Sequence, residues 1–91
     1  MKFVIEDNEI YLIGSESEKV AFVKFPNVEC GIVEVTTTYV SDVLRGQGVA
    51  SKLMIELYEV LKRTNRKAIL KCSYAIKWFE KNIDKQDVIL Y

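Results

Sequence analysis

The stretch YVSDVLRGQGVASKLM, residues 39–54, joins two segments of opposite periodicity. The run before it, GIVEVTTTYV from Gly31 to Val40, is rich in β-branched and aromatic residues and is typical of a strand. In the run after it an apolar residue recurs every fourth position, which predicts a helix to about Thr64, at Val49, Leu53, Leu57 and Leu61. Gly46 and Gly48 lie at the junction. The segment therefore predicts a strand, a tight turn and a helix in succession.

The flanking sequence predicts strands before this segment and a mixture of strands and helices after it. Three β-rich runs precede it, KFVIED, EIYLIG and VAFVKF, and the first two are joined around Asp7-Asn8. With the run from Gly31 to Val40 they predict a four-stranded antiparallel meander. KAILKC is expected to be a short buried strand, SYAIKWFEKN a helix opened by Ser73, and DVILY a last strand. We predict a layered α+β fold, a mostly antiparallel sheet with two helices in the order β-β-β-β-α-β-α-β.

Length and composition limit the classes of function. The 91 residues, 49% hydrophobic and 29% charged, predict a single domain over residues 1–91. Lysine plus arginine total 13 and aspartate plus glutamate total 13, so the zero net charge favours neither nucleic acid nor a membrane as a partner. The N-terminus MKFVIEDNEIYLIG has early acidic residues and no long apolar run, which argues against a signal peptide or membrane span. We expect a cytoplasmic protein.

The cysteine and histidine counts exclude two further classes of site. Cys30 and Cys72, without a secretory signal, are expected to be free thiols. The chain contains no histidine, which excludes Ser-His and Cys-His nucleophile pairs and leaves zinc without an imidazole ligand. We predict no metal site.

The two glycines at the strand-to-helix junction suit an anionic ligand. Glycines remove Cβ atoms from the path of a ligand, and the first turn of a helix offers unpaired N–H groups to a phosphate. Arg45 adds a cation beside them. The alternative is that the glycines only shape a tight connection. A dinucleotide fingerprint requires a third glycine where the chain has Ser51, and the spacing of a phosphate-binding loop ending in Gly-Lys-Ser/Thr is absent.

The turn also resembles a known signature. The acyl-coenzyme A motif of the GNAT superfamily of N-acetyltransferases is R/Q-x-x-G-x-G/A, and all six positions match, at Arg45, Gly46, Gln47, Gly48, Val49 and Ala50. Val40 stands five residues before Arg45, where that family ends a splayed strand. The resemblance implies that acetyl-CoA or coenzyme A binds with its pyrophosphate on this turn. It also implies that the backbone of Thr38 and Val40 pairs with the pantetheine arm.

The resemblance continues downstream with two departures. Many GNAT domains carry a pattern like N-x-x-A-x-x-[apolar]-Y-x-K after the next strand, and here the chain reads CSYAIKWFEK from Cys72 to Lys81. Cys72 occupies the asparagine position and Phe79 the tyrosine position. In many family members that tyrosine is thought to protonate the departing thiolate, and Phe79 has no hydroxyl. The chain also lacks room for the helix pair that usually follows the first strand, so it looks most like the minimal single-domain GNAT-like group, YjdJ type.

Three residues are candidates for the chemistry. Glu34 lies six residues before Val40, where some GNAT enzymes keep a catalytic glutamate, and strand alternation predicts that it shares a face with Val40. It would be the base for an amine, or alternatively a solvated glutamate. Cys72 is expected where two strands splay apart, and it could accept the acetyl group, relay a proton or simply pack; a covalent role is the least favoured because no histidine activates the thiol. Tyr74 could donate the missing proton, or line the core or acceptor pocket.

Two functions follow from this resemblance. The first is an acetyl-CoA dependent N-acetyltransferase in which an amine, on a small molecule or a protein lysine, attacks the thioester directly. The alternative is a noncatalytic acyl-CoA binding or interaction module that kept the coenzyme turn without an efficient acid. The identity of the acceptor does not follow from the residues.

Overall fold

A computed structural model of the protein describes residues 2–90, which form two sheets and two α-helices. The strands are β1 Phe3–Ile5, β2 Glu9–Ile13, β3 Lys19–Lys24, β4 Asn27–Glu29, β5 Ile32–Val35, β6 Thr37–Val40 and β7 Lys67–Leu70. The α-helices are α1 Val49–Arg63 and α2 Ser73–Lys81, and two 3₁₀ helices span Asp42–Leu44 and Ile83–Val88. The predicted α+β class is confirmed. No helix within residues 2–90 is long and apolar enough to cross a membrane.

The strands divide between an antiparallel sheet and a smaller mixed one. The first sheet has the order β1-β2-β3-β6 and the second the order β4-β5-β7. Strands β5 and β7 run parallel, with Val33 opposite Ala68 and Val35 opposite Leu70. Parallel neighbours need a crossover connection, and α1 provides it. The glycine turn therefore lies where the chain leaves the first sheet to cross over to the second.

Helix α1 follows the apolar periodicity of its sequence. It begins after Gly48 and ends at Arg63, close to the predicted limit. Lys62 and Arg63 in its last turn are favoured there by the helix dipole. The buried side chains of α1 are Val49, Leu53, Met54, Leu57, Val60 and Leu61. Full burial of one large aliphatic side chain contributes roughly 1.5–3 kcal/mol to the stability of the fold. This apolar face fixes the helix, and with it the glycine turn, on the core.

The predicted strand from Gly31 to Val40 is broken at Thr36, which corrects the four-stranded meander. The N–H of Thr36 donates to the Lys24 carbonyl at 3.1 Å, while Thr37 is the register partner of Lys24. Two residues thus oppose one, which is a β-bulge. The bulge separates β5 from β6 and sends them into different sheets. A further short strand, β4, also forms after Pro26.

The bulge reverses the alternation of side chains between the two strands. Val33 and Val35 on β5 are fully buried in the core. On β6, Val40 lies opposite Ala21, which is also fully buried, so Val40 shares the core face. Glu34, between the two buried valines, therefore points to the outer face. The expectation that Glu34 and Val40 share a face is wrong, because alternation does not continue through a bulge.

The predicted last strand is also wrong. Residues Ile83–Val88 form a 3₁₀ helix, and only Ile89 makes a parallel bridge, to Ala68. Side chains rather than a strand ladder hold this segment: the Gln86 amide donates to the Phe79 carbonyl at 2.9 Å, and the Lys67 ammonium donates to the Asp87 carbonyl. Tyr91, the end of the predicted strand, lies outside the described residues.

Candidate functional site

The glycine turn, residues Arg45–Ala50, leads into helix α1, as its sequence predicts. Gly46 and Gly48 have φ angles of 82° and 71°, in the left-handed region that favours glycine. A Cβ added to either glycine would meet no atom within 4 Å. The first helical hydrogen bond runs from the Lys52 N–H to the Gly48 carbonyl at 3.1 Å, so three N–H groups precede the ladder. No side chain caps this end of α1, which leaves its positive dipole end open to an anion.

A cavity of about 250 Å³ opens beside the turn. It brings together seven of the expected site residues: Val40, Arg45, Gly46, Gly48, Val49, Ala50 and Tyr74. Three larger concavities of about 570–600 Å³ in the described part of the chain contain no residue of the turn. Gln47, by contrast, folds back along the chain, with its amide 3.5 Å from the Val43 carbonyl. The chemistry of the turn, rather than cavity size, identifies the site.

Arg45 is held at the rim of the cavity by a neighbouring carboxylate. Its Nε lies 2.9 Å from Asp42 Oδ1, and the two side chains are 76% and 86% exposed. An ion pair this exposed is weak, so another anion can easily replace the Asp42 carboxylate as the partner of Arg45. Arg45 can therefore turn toward a ligand phosphate at small cost.

The sheet forks directly beyond Val35. The Val35 carbonyl accepts the N–H groups of both Lys71 and Cys72, each at 3.0 Å, and these are the last backbone hydrogen bonds between β5 and the segment that follows β7. Beyond them the chain after β7 turns into α2, while β6 continues along β3. A wedge-shaped gap, which we call the fork, therefore opens between β6 and the start of α2. This is the splay that was expected beside Cys72.

The edge of β6 that faces the fork carries unpaired backbone groups. The Ser41 N–H donates to the Val20 carbonyl at 2.7 Å, which makes these two residues a hydrogen-bonded pair of the antiparallel ladder. Pairing alternates along such a ladder, so Thr38 and Val40 direct their N–H and C=O groups away from β3. Strand β6 is the edge of its sheet. An extended ligand arm can add to this edge as a strand does.

Cys72 lies at the start of α2, across the fork from Thr38. Its Sγ is 3.4 Å from Thr38 Oγ1. Partial burial raises the pKa of the Cys72 thiol, but the Thr38 hydroxyl and the backbone N–H groups of Ala75, Tyr74 and Thr38 outweigh it, so the net pKa is lowered. These contacts therefore favour the thiolate form of Cys72 more than an ordinary cysteine environment does.

The two aromatic candidates differ in their access to the cavity. Tyr74, 38% exposed, lines it, and burial raises the pKa of its phenol, which keeps the proton on the oxygen. Phe79 is 1% exposed and packs edge-on against Trp78, with ring centroids 4.9 Å apart. Of these two aromatic residues, only Tyr74 can offer a hydroxyl to a ligand in this cavity.

Glu34 stands apart from the cavity. It lies on the outer face of β5, opposite Ile69 and one residue before the fork. It is half-buried and does not line the cavity. The turn, Val40 and Tyr74 are thus brought together on one side of the sheet, and Glu34 can reach the fork only from the other side.

Comparison with protein families identifies the chain. The family model described as GCN5-related N-acetyl-transferase matches residues 3–88. The chain belongs to this family. GCN5-related N-acetyltransferases as a group carry out acyl-CoA dependent acetyl transfer, and the suspected resemblance to the GNAT superfamily is confirmed. A comparison with curated proteins gives no significant match.

Solved structures share the fold of this chain. The NMR structure of a GCN5-like candidate N-acetyltransferase from Staphylococcus aureus is 32% identical, with a TM-score of 0.80 over 98% of this chain and 87% of the other. GCN5 from Tetrahymena is 14% identical, with a TM-score of 0.65, and a candidate acetyltransferase from Agrobacterium tumefaciens is 20% identical, with a TM-score of 0.65. The last two show the fold alone, and the chain spans only 57% of each.

Two residues that line the cavity were not predicted. Leu44 and Ser51 line the cavity with the turn. Ser51 follows the six-residue signature directly and lies in the first helical turn, so helical geometry could have placed it at the site. Leu44 directly precedes the signature and lies in a 3₁₀ helix that no sequence pattern predicted. No group of three or more potential ligand side chains within residues 2–90 could hold a metal ion.

Proposed function

We propose that the protein is an acetyl-CoA dependent N-acetyltransferase in which an amine attacks the bound thioester directly. The observation that carries the proposal is the glycine turn. Two left-handed glycines with open space at both Cβ positions begin an uncapped helix beside a cavity. Such a turn admits a pyrophosphate close to the backbone N–H groups. Acetyl-CoA supplies an activated thioester, and the chain supplies the position and the proton transfers.

The fork supports the placement of the thioester. The outward-facing backbone groups of Thr38 and Val40 would pair with the amides of the pantetheine arm, as an added strand does. The arm would run from the glycine turn along β6 toward Thr38 and Cys72. The acetyl group would then lie within the fork, where an amine can approach from the outer face of the sheet.

The side chains around the fork can carry the required protons. A lysine-like ammonium must lose one proton before attack, and a second as the amide forms. Glu34 would accept the first proton from the outer face and release it to water. As the nitrogen–carbon bond forms and the carbon–sulfur bond breaks, Tyr74 or Cys72 would donate a proton to the sulfur. The second proton that the nitrogen releases would pass through solvent and restore the proton of that donor. General acid and base steps of this kind each contribute about 10²–10⁴-fold.

The noncatalytic acyl-CoA binding module remains the second candidate function. Its support is the burial of Phe79, which places no hydroxyl where many family members keep one. Release of free thiol from acetyl-CoA with a panel of amines separates the two candidates. An enzyme releases thiol faster with at least one amine than without, whereas a binding module does not.

Coenzyme A and acetyl-CoA should raise the melting temperature of the protein. A ligand that binds only the folded state at a hundredfold excess over its Kd stabilises it by about 2.7 kcal/mol. For a domain of this size that corresponds to a rise on the order of 10 °C. Differential scanning fluorimetry with NAD and ATP as controls should show much smaller shifts. An unchanged melting temperature at millimolar coenzyme A would contradict both candidate functions.

Cys72→Ala should bind coenzyme A almost as the parent does and lose only part of its turnover. The reason is that direct attack needs no acetyl-cysteine, since a shared site already supplies proximity. Calorimetry should show near-parental affinity, and mass spectrometry of the parent with acetyl-CoA should show no acetyl adduct. Cys72→Ser serves as the control of similar size. Loss of all turnover in both variants, with a chemically competent adduct in the parent, would establish a covalent route instead.

A further inference from the structure

The first turn of α1 is tied to α2 by one side-chain hydrogen bond. The Trp78 indole N–H donates to Ser51 Oγ at 2.9 Å. Ser51 is the third residue of α1 and lines the cavity beside the glycine turn. Trp78 is 8% exposed and follows Tyr74, which lines the same cavity from α2, by about one helical turn. The bond therefore spans two walls of the cavity.

This hydrogen bond determines whether the Ser51 hydroxyl acts as a donor or as an acceptor toward other groups. An indole N–H is only a donor, so it must use a lone pair of Ser51 Oγ. A hydroxyl has one hydrogen to donate as well, and within residues 2–90 the Ser51 hydroxyl donates to no protein acceptor. Accepting the indole hydrogen also strengthens the hydroxyl as a donor, because hydrogen bonds in a chain polarise one another. The remaining hydrogen thus needs an acceptor from the cavity or from water.

We infer that Ser51 is a phosphate-binding residue of the coenzyme site, and that Trp78 is a positioning residue that acts through it. This rests on the proposed function, since the acceptor would be a pyrophosphate oxygen held by the glycine turn. Trp78 holds the hydroxyl oxygen in place and leaves its hydrogen for the ligand. The same contact keeps the start of α2, with Tyr74 and Cys72, at a fixed distance from the turn.

The test is coenzyme A affinity, measured by calorimetry, in the parent and in five variants. Ser51→Ala removes the donor and should weaken binding on the order of tenfold, as expected for a hydrogen bond to a charged group. Ser51→Thr keeps a hydroxyl and should restore affinity to near the parent value. Ser15→Ala, in the exposed loop after β2, is the matched control and should bind as the parent does.

The fourth variant, Trp78→Phe, distinguishes positioning from simple packing. It should weaken binding severalfold, and Ser51→Ala combined with Trp78→Phe should be no weaker than Ser51→Ala alone, because the two residues act as one unit. Additive losses would mean that Trp78 acts only through packing. Since Trp78 is the only tryptophan of the chain, its fluorescence should also change when coenzyme A binds to the parent.

The outcomes separate this inference from the proposed function. A parent that binds no coenzyme A would overturn both. A parent that binds coenzyme A, with a folded Ser51→Ala variant of equal affinity, would overturn the role of Ser51 and leave the proposed function standing. A Ser51→Thr variant as weak as Ser51→Ala would show that shape rather than the hydroxyl matters, and would also overturn the assignment.

Discussion

Gly48→Val should abolish detectable coenzyme A binding in a protein that still folds. Gly48 has a φ of 71° at the start of α1, and a Cβ there points into open space rather than into protein atoms. The branched side chain would occupy the volume that the pyrophosphate needs, between the ligand and the N–H groups of the first turn. A β-branched residue in the left-handed region also strains the backbone, at a cost on the order of 1–3 kcal/mol.

The chain offers a matched control for this strain. Gly31 has a φ of 76°, its Cβ position is equally open, and it lies in the turn between β4 and β5, away from the cavity. Gly31→Val should therefore lose a similar amount of stability and keep its coenzyme A affinity. Calorimetry for binding and thermal unfolding for stability separate the two effects. Parental affinity in folded Gly48→Val would mean that the pyrophosphate does not lie on this turn.

Glu34→Gln should lower turnover about 10²–10⁴-fold near neutral pH, the range for loss of a general base. An ordinary lysine-like amine has a pKa of about 10.4, so near neutral pH almost all of it is protonated and needs a base. As the pH rises toward that pKa, more amine is already neutral. The difference between Glu34→Gln and the parent should therefore shrink with rising pH.

Steady-state rates from pH 6.5 to about 10 check this prediction, with coenzyme A affinity measured in parallel. Affinity should not change, because Glu34 does not line the cavity. Glu29→Gln, on the exposed strand β4, is the control and should keep parental turnover. A Glu34→Gln defect of constant size across the pH range would remove Glu34 from the role of base.

The sequence predicted those parts of the molecule whose signals are local. Helix α1 was placed within one residue, because its apolar spacing and the glycines before it act within a few residues. The turn and its position at a helix start were likewise predicted, whereas the left-handed conformations of its glycines were not. The exact match of the turn to a known signature also predicted the family.

The features that the sequence did not reveal depend on contacts between distant segments. Thr36, Thr37 and Thr38 all favour extended backbone, so nothing in them marks the bulge, which arises from the pairing of Lys24 with two residues at once. The prediction that Glu34 shares a face with Val40 was wrong for that reason. The apolar run DVILY was predicted as a strand, but its first two residues, Asp87 and Val88, end a 3₁₀ helix, and the Lys67 ammonium donates to the Asp87 carbonyl. The Ser51–Trp78 bond joins residues of different helices, and no periodicity predicts it.

The parallel pairing of β5 with β7 has a consequence for how the molecule assembles. Strands β1, β2 and β3 are joined by short hairpins, whereas β5 and β7 are separated in sequence by β6 and α1, so we expect β7 to pair with β5 late in folding. The fork exists only after that late, non-local step. The residues at the base of the fork should therefore belong to a cooperative unit whose amides are less protected from hydrogen exchange than those of the hairpins. We expect the amides of Lys71 and Cys72, which bond to Val35, to exchange with deuterium faster than those of β2, and coenzyme A to slow that exchange selectively.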